Sequence, residues 1–415
     1  MNQKGPEILI ISGTLGLGHV TRDLEIAKEI RKEIPHVKIS WIAAPPASNY
    51  LIENNETLLP ESECWPSETE IAEKTSVGSN MNVAYYFVNA SETWDKQWEI
   101  FKKVVKKYSF NLIIGDETYR IATNLTDAAL NNQPIIQTPF VIIYDFVGAK
   151  TMTNDPKEKE VVDYMNNLWQ IRISSKFPKE IPQNLITRFF VGDVDDVENR
   201  ETDSGVIDFQ NMVKGSMTFL GNIIRFDPEE YRDKSYFREK LNYSSNPLIV
   251  CNVGGSNIGS ELLQLCGASY EILEKTLPGL QMVLVCGPRI DPDTLELSKG
   301  VRVHGYMPDL IEHFAACDLA IIQPGLSTVN ELVALQKPFI YFPIPGHFEQ
   351  SDISNRLKRR QVGIEMLLEE TTPELLGDAI LSSLGLEVKY PVMNFQGARV
   401  AATHVKKILS TLSFP

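Results

Sequence analysis

The chain has 415 residues, 43% of them hydrophobic and 23% charged, and carries a formal net charge of −14. That length exceeds what one hydrophobic core usually supports, so two domains are expected, and the acidic balance speaks against a nucleic-acid binder, which shows a basic field. No apolar run reaches the ~18 residues of a membrane-spanning helix, and the opening residues lack the charged-then-apolar layout of a secretory signal, so a cytoplasmic protein is expected.

The first element is EILIISG, a continuous apolar run typical of a strand buried in a parallel sheet. The loop Gly13-Thr14-Leu15-Gly16-Leu17-Gly18-His19 follows directly and opens an amphipathic helix, VTRDLEIAKEIRKEI. Its span fits G-x-x-x-x-G, but His19-Val20 stand where a P-loop needs Lys and Ser/Thr, so a kinase or ATPase is not expected. The glycines also miss the G-x-G-x-x-G spacing of a dinucleotide site, and Glu53 lies too far along to be its ribose acid. Gly16 and Gly18 leave the backbone open to a second molecule beside an imidazole at a helix start. His19 therefore reads either as a neutral general base or as a helix cap.

VKISWIAA, ending at Pro45-Pro46, completes a β-α-β unit, and NLIIGD, YRIATNLTDAALNN and PIIQTPFVIIYDF continue the alternation of a parallel α/β sheet. Asp116 closes NLIIGD, at the edge where strand ends gather. A carboxylate there suits holding the second nitrogen of His19 and fixing its tautomer; Glu117 is the fallback, and capping the next helix is the plainer role. Between these strands, MNVAYYFVNA and KKVVKKY offer a greasy and basic face. It suits peripheral docking on a membrane, although such a run is more often a solvated helix face.

Residues 226–246 are polar and charged and separate two β/α arrays, so the expected domains are 1–225 and 247–395 with 226–246 as the linker. In the second array LIVCNV, QMVLVCG, VRVHG, LAIIQ and FIYFP read as five strands with helices between them. Five cysteines without a C-x-x-C pair fit reduced thiols, and Cys251, Cys286 and Cys317 lie in apolar runs that read as core. Gly254-Gly255-Ser256-Asn257 repeats the strand, glycine loop, helix layout. LAIIQ stops at Pro324-Gly325 and leads into Ser327-Thr328-Val329-Asn330-Glu331. A helix start at that point offers backbone N–H groups and a positive dipole end to a phosphate, with Glu331 one turn in to accept from ribose hydroxyls. Thr328-x-x-Glu331 is equally a capping box that touches no ligand. Asp193-Val194-Asp195 and Asp291-Pro292-Asp293 read D-x-D, but neither ends a clear strand beside a phosphate loop, so both are read as solvated surface.

Taken in order and spacing, HGYMPDL, PGLSTVNEL, KPFIYFPIP and HFEQSDISN resemble the donor-binding half of the GT-B glycosyltransferases. The nearest branch is that of the lipid-intermediate N-acetylglucosaminyltransferase, family 28, together with the small-molecule UDP-glycosyltransferases. The likeness covers residues 247–365 well and the first thirty moderately. It implies an α/β protein of two Rossmann-like doubly wound parallel-sheet domains facing across a cleft, with the last helix, 396–415, packing back on the first domain. It also implies His19 as the base that deprotonates the acceptor, Asp116 as its partner, and Gly254, Gly255, Ser256 and Asn257 on the diphosphate. Tyr306 and Met307 match the turn that holds the base, and Gly325, Ser327, Thr328 and Glu331 the phosphate and ribose turn. Glu349, Gln350 and Asp352 compete for the sugar hydroxyls, since their spacing to Asn355 departs from the family pattern.

The implied activity is an inverting transfer from a nucleotide sugar, UDP-linked, such as UDP-N-acetylglucosamine, to a hydroxyl of a small molecule, glycan or lipid. No cofactor or metal is expected, because helix dipoles and backbone donors can stabilise the leaving diphosphate. Two rivals differ in their chemistry. A non-hydrolysing UDP-N-acetylglucosamine 2-epimerase would invert C2 without an acceptor, and a non-catalytic nucleotide-sugar-binding protein would bind UDP and turn nothing over.

Overall fold

The computed structural model describes residues 5–13, 16–78 and 80–411; Thr14 and Leu15 of the first glycine loop lie outside them. Two compact units emerge, one built from Met1–Ile71, Val83–Ile223 and Asn394–Pro415, the other from Ala72–Asn82 and Ile224–Met393.

The first unit holds strands β1 (Glu7–Ile11), β2 (Lys38–Ile42), β3 (Leu112–Asp116), β4 (Phe140–Tyr144) and β5 (Ile186–Val191), then a small hairpin of β6 (Arg200–Thr202) and β7 (Gly205–Ile207), then β8 (Thr218–Gly221). Six of these form one sheet in the order β2-β1-β3-β4-β5-β8, every pair parallel. LIIGD and FVIIY are buried along their whole length because helices cover both faces. The helices are α1 (Gly18–Glu33), α2 (Ala47–Glu53), α3 (Thr69–Thr75, whose last turn falls in the second unit), α4 (Val83–Lys107), α5 (Tyr119–Leu130), α6 (Pro156–Ser174) and α7 (Phe209–Val213). On α4, Tyr86, Phe87, Ala90, Trp94, Gln97, Phe101 and Val104 recur at three- and four-residue intervals and are all buried, the spacing of one helix face.

The second unit contains α8 (Lys234–Lys240), β9 (Leu248–Asn252), α9 (Ser260–Thr276), β10 (Gln281–Val285), β11 (Arg302–His304), α10 (Leu310–Ala316), β12 (Leu319–Ile322), α11 (Leu326–Ala334), β13 (Phe339–Tyr341), α12 (Phe348–Arg360), β14 (Ile364–Glu365) and α13 (Pro373–Ser383). Its sheet runs β11-β10-β9-β12-β13-β14, again all parallel. Relabelled within the unit this is 3-2-1-4-5-6, the Rossmann order. The sixth strand, two residues long, is one more than the sequence suggested. Residues 226–246, read from sequence as a linker, carry α8, which is tied in by Arg238: it donates to Asp318 Oδ2 at 2.5 Å and to the carbonyl of Ala316 at 3.0 Å. Cys251, Cys266, Cys286 and Cys317 are buried and free, and Cys64 is exposed.

The last helix, α14 (Gly397–Ser410), belongs to the first unit, where it packs along α1. Ala398, Ala401, Ala402, Val405, Ile408 and Leu409 form its buried stripe, and the alanines permit a close approach. The turn before it is tight: a Cβ on Gly397 would lie 2.7 Å from the carbonyl oxygen of Asn222.

Candidate active site

In each sheet two successive helices leave on opposite sides where the strand order reverses, and the crevice there, beyond the carboxyl ends of the strands, is where open α/β sheets bind ligands. In the first unit the reversal lies between β1 and β3. His19 follows β1 and Asp116 ends β3. Although 97 residues apart, they meet, with Nδ1 of His19 2.9 Å from Oδ2 of Asp116. The N-cap of α1 is Leu17 and makes no side-chain cap bond, so His19 is the second helical residue and does not act as the cap. Gly13 makes room for the ring, since a Cβ there would sit 3.1 Å from Cγ of His19. Gly16 has φ +71 with open space around its Cβ position, and its N–H donates to Thr69 Oγ1 at 3.0 Å.

Three further residues complete the cluster. Arg22, one turn beyond His19 on α1, donates from Nη2 to Asp116 Oδ1 at 2.5 Å and from Nη1 to Asp145 Oδ2 at 2.8 Å. Asp145 follows β4, and Glu117 follows β3 with its Oε2 3.4 Å from His19 Nε2. Glu117 holds φ +51, a left-handed backbone uncommon for a residue with a side chain and found preferentially where function constrains the chain. Arg22 Nη2 also lies 2.9 Å from His19 Nδ1. One ring nitrogen cannot donate to Asp116 and accept from Arg22 at once. Since Arg22 is already satisfied by two carboxylates, we assign the Nδ1 proton to the Asp116 bond, which leaves the lone pair on Nε2.

Burial pushes the Asp116 carboxyl up, but the Arg22 guanidinium and His19 outweigh it and hold Asp116 below the ordinary carboxylate range. Asp145 is likewise held low, Arg22 overcoming its burial. Burial also opposes the charge on Arg22, yet Asp116 and Asp145 keep it charged well beyond the usual arginine value. Asp23 goes the other way: burial and the adjacent Asp116 carboxylate raise it well above its ordinary value, although Ser12 Oγ donates to its Oδ2 at 2.6 Å. A carboxyl that keeps its proton in the folded state contributes most below the unfolded value near 3.9 and progressively less as pH rises toward the folded value. Asp23→Asn supplies the neutral form permanently, so thermal melts should show less loss of Tm from pH 4 upward than in wild type. A parallel decline in both proteins refutes this.

In the second unit the reversal lies between β9 and β12. Gly254, Gly255, Ser256 and Asn257 follow β9. Asn252 Oδ1 accepts from Gly254 N at 2.8 Å, and Gly254 has φ +82, which favours glycine. Gly325 and α11 follow β12. The N-cap of α11 is Gly325, and no side chain caps the helix. Thr328 is therefore inside the first turn, and the capping-box reading of Thr328-x-x-Glu331 is not realised. The buried Glu331 carboxylate instead accepts from Arg225 Nε at 2.8 Å. Burial lifts Glu331 above its ordinary value despite that cation.

Tyr306 is exposed and Met307 half-buried in the turn after β11. At the start of α12, Gln350 Oε1 accepts from the Ile344 N–H at 2.8 Å, Asp352 is buried and Glu349 half-buried. Asp193, two residues after β5, is exposed, and it and Asp196 form a reciprocal cap on a short 3-10 turn. Asp291 caps a similar turn through Asp293 N. The Asn257 N–H and Arg289 Nε both donate to Glu73 Oε1, at 3.1 and 2.9 Å.

The profile of the glycosyltransferase family 28 C-terminal domain matches residues 249–402. An uncharacterized glycosyltransferase of Methanopyrus kandleri is 23% identical over 188 residues, 45% of this chain and 53% of that protein. The UDP-N-acetylglucosamine–N-acetylmuramyl-(pentapeptide) pyrophosphoryl-undecaprenol N-acetylglucosamine transferase of Acetivibrio thermocellus is 23% identical over 393 residues, 91% of this chain and 89% of that one. The crystal structure of the glycosyltransferase SnogD from Streptomyces nogalater superposes with a TM-score of 0.56 at 13% identity, over 98% of this chain and 95% of that one. The second unit matches the family 28 C-terminal domain, and the two parallel α/β sheets have the GT-B glycosyltransferase fold. The chain spans about half the length of the first relatives that it matches.

Within this GT-B chain, sequence reasoning missed Arg22, Asp145, Arg225 and Glu73. Arg22 carried a usable signal, lying three residues after His19 and so on the same helix face. Asp145 ends FVIIY as Asp116 ends LIIG. Arg225 and Glu73 are distant in sequence from the motifs that they touch and left no local trace.

Proposed function

We propose that the protein is an inverting, metal-independent glycosyltransferase that moves a sugar from a UDP-linked donor to an acceptor hydroxyl. The observation that carries this reading is the His19–Asp116 pair at the β1/β3 reversal. With Nδ1–H held by Asp116, Nε2 takes the acceptor proton as the acceptor oxygen forms its bond to the anomeric carbon, and the breaking bond leaves its electrons on the diphosphate. Asp116 and Asp145 then face an imidazolium that they stabilise. On the donor side, the amides opening α11 and the Gly254–Asn257 loop suit the diphosphate, and Glu331 suits the ribose once Arg225 shares it. The full-length likeness to a UDP-N-acetylglucosamine-using transferase supports the UDP donor.

A ring nitrogen of His19 and oxygens of Glu117 and Asp145 lie within 4.8 Å of one another, a spacing that a cation would also accept. The Arg22 guanidinium already supplies a positive charge to this carboxylate group, which supports a reaction without a metal. The test is to supply UDP-, dTDP- and GDP-sugars with a panel of hydroxyl acceptors, with and without EDTA, and read the anomeric configuration of the product by NMR. Inversion from a UDP-sugar, unaffected by EDTA, is expected. Retention, C2 epimerisation without acceptor, or loss of turnover in EDTA overturns the respective part of the proposal.

Glu73 holds the same Asn257 amide and Arg289 cation that a diphosphate would use. Glu73→Gln should weaken this internal competitor and tighten UDP binding, measured by calorimetry, roughly threefold to tenfold. Unchanged or weaker binding would count against a diphosphate at this loop.

A further inference from the structure

The first unit contains a half-open recess of about 690 Å3 bounded by α4, α5, α6, the end of β4 and the middle of β5. It adjoins the His19 cluster through the chain itself: Tyr119 stands two residues after Glu117, and Tyr144 and Phe146 flank Asp145. The wall is a mesh of aromatic rings. Tyr144 meets Trp169 edge-on with centroids 4.8 Å apart, and Tyr119 lies 5.6 Å from both Phe87 and Trp94. Such rings are rigid and lose little entropy on binding, and a recess of this size suits a compact ring system.

The polar lining is cationic. Arg120 pairs with Asp95 at 3.0 Å and Arg172 with Asp127 at 3.4 Å, both acids at least half exposed. Glu160 is the one carboxylate of the lining and is exposed. Arg188, midway along β5, is half-buried. It donates to the Arg172 carbonyl at 3.3 Å, and among the described residues no carboxylate pairs with it. Burial and the neighbouring Arg172 cation both disfavour its charge. A guanidinium held against aromatic walls without a counter-ion is poised to receive one from a ligand.

We propose that this cavity binds the acceptor and that the acceptor is a compact, ring-bearing anion whose carboxylate or phosphate meets Arg188. This rests on the transfer reading above and adds the acceptor's chemical class to it. The test is calorimetry with three probes of one shape, 2-naphthoate, 2-naphthyl phosphate and neutral 2-naphthalenemethanol, on wild type, Arg188→Met and Thr123→Trp, with folding checked by circular dichroism. Wild type should bind at least one anion about tenfold or more tighter than the alcohol, and the stronger of the two anions identifies the acidic group. Arg188→Met should erase most of that preference while keeping the alcohol, and Thr123→Trp, which fills the cavity, should abolish binding of all three.

Equal affinity for anions and alcohol in wild type overturns the proposal whether or not the variants fold. So does a preference that survives Arg188→Met, or anion binding that survives Thr123→Trp. His19→Ala should bind the probes as wild type does. Flat probe affinities thus remove the cavity assignment alone, and undiminished turnover in His19→Ala removes the base alone.

Discussion

Replacing His19 with alanine should lower turnover by about 10²–10⁴, the usual worth of a positioned general base, with UDP affinity unchanged. The loss should fall on kcat, because the imidazole acts only as the acceptor oxygen begins to attack. Steady-state rates across pH 6–9, with calorimetric UDP titration alongside, decide the matter. A variant that turns over at the wild-type rate has some other base, of which Glu117, close to His19 Nε2, is the first to examine.

Asp116→Asn should be as damaging to turnover and far more damaging to the fold. An amide can present its NH2 to Nδ1 and so favour the tautomer with its proton on Nε2, where no proton can be taken; a loss on the order of 10²–10⁴ is expected. It also removes one of the two carboxylates that neutralise the buried Arg22. Breaking a buried ion pair by deleting one partner costs about 3–5 kcal/mol. The sign in pH follows from the lowered folded-state value of Asp116. Its contribution is fully present above the ordinary carboxylate value near 3.9 and disappears as pH falls through the folded value. Urea unfolding should therefore separate variant from wild type widely at pH 7 and much less in strong acid. An equal gap at both would show that the charge on Asp116 is not what stabilises the cluster.

The strands that could be read directly are those buried on both faces. EILII, LIIGD and FVIIY are almost wholly apolar. ITRFFV of β5 carries Thr and Arg where the sheet opens toward the cavity, and TFLG of β8 is only four residues at the sheet edge. Neither differs locally from a loop. The meeting of His19 and Asp116 was legible because parallel sheets collect their strand ends on one edge. Arg22 was signalled only by its three-residue spacing from His19; among RDLEIAKEIRKEI an arginine otherwise looks like any solvated charge, and only the tertiary fold reveals that its side chain is buried. Glu331 could not be assigned from sequence because cap and ligand group share one spacing; the structure decides by starting the helix at Leu326, which leaves the carboxylate to Arg225.

Chain continuity and spatial unity do not coincide in this molecule, and its order of synthesis is affected. The first unit is finished only when α14, the last of its elements in chain order, lies down on α1, the first of its helices. Until then the stripe of α1 that α14 covers stays open, and a chain truncated near residue 390 should be a client for chaperones while its second Rossmann sheet folds.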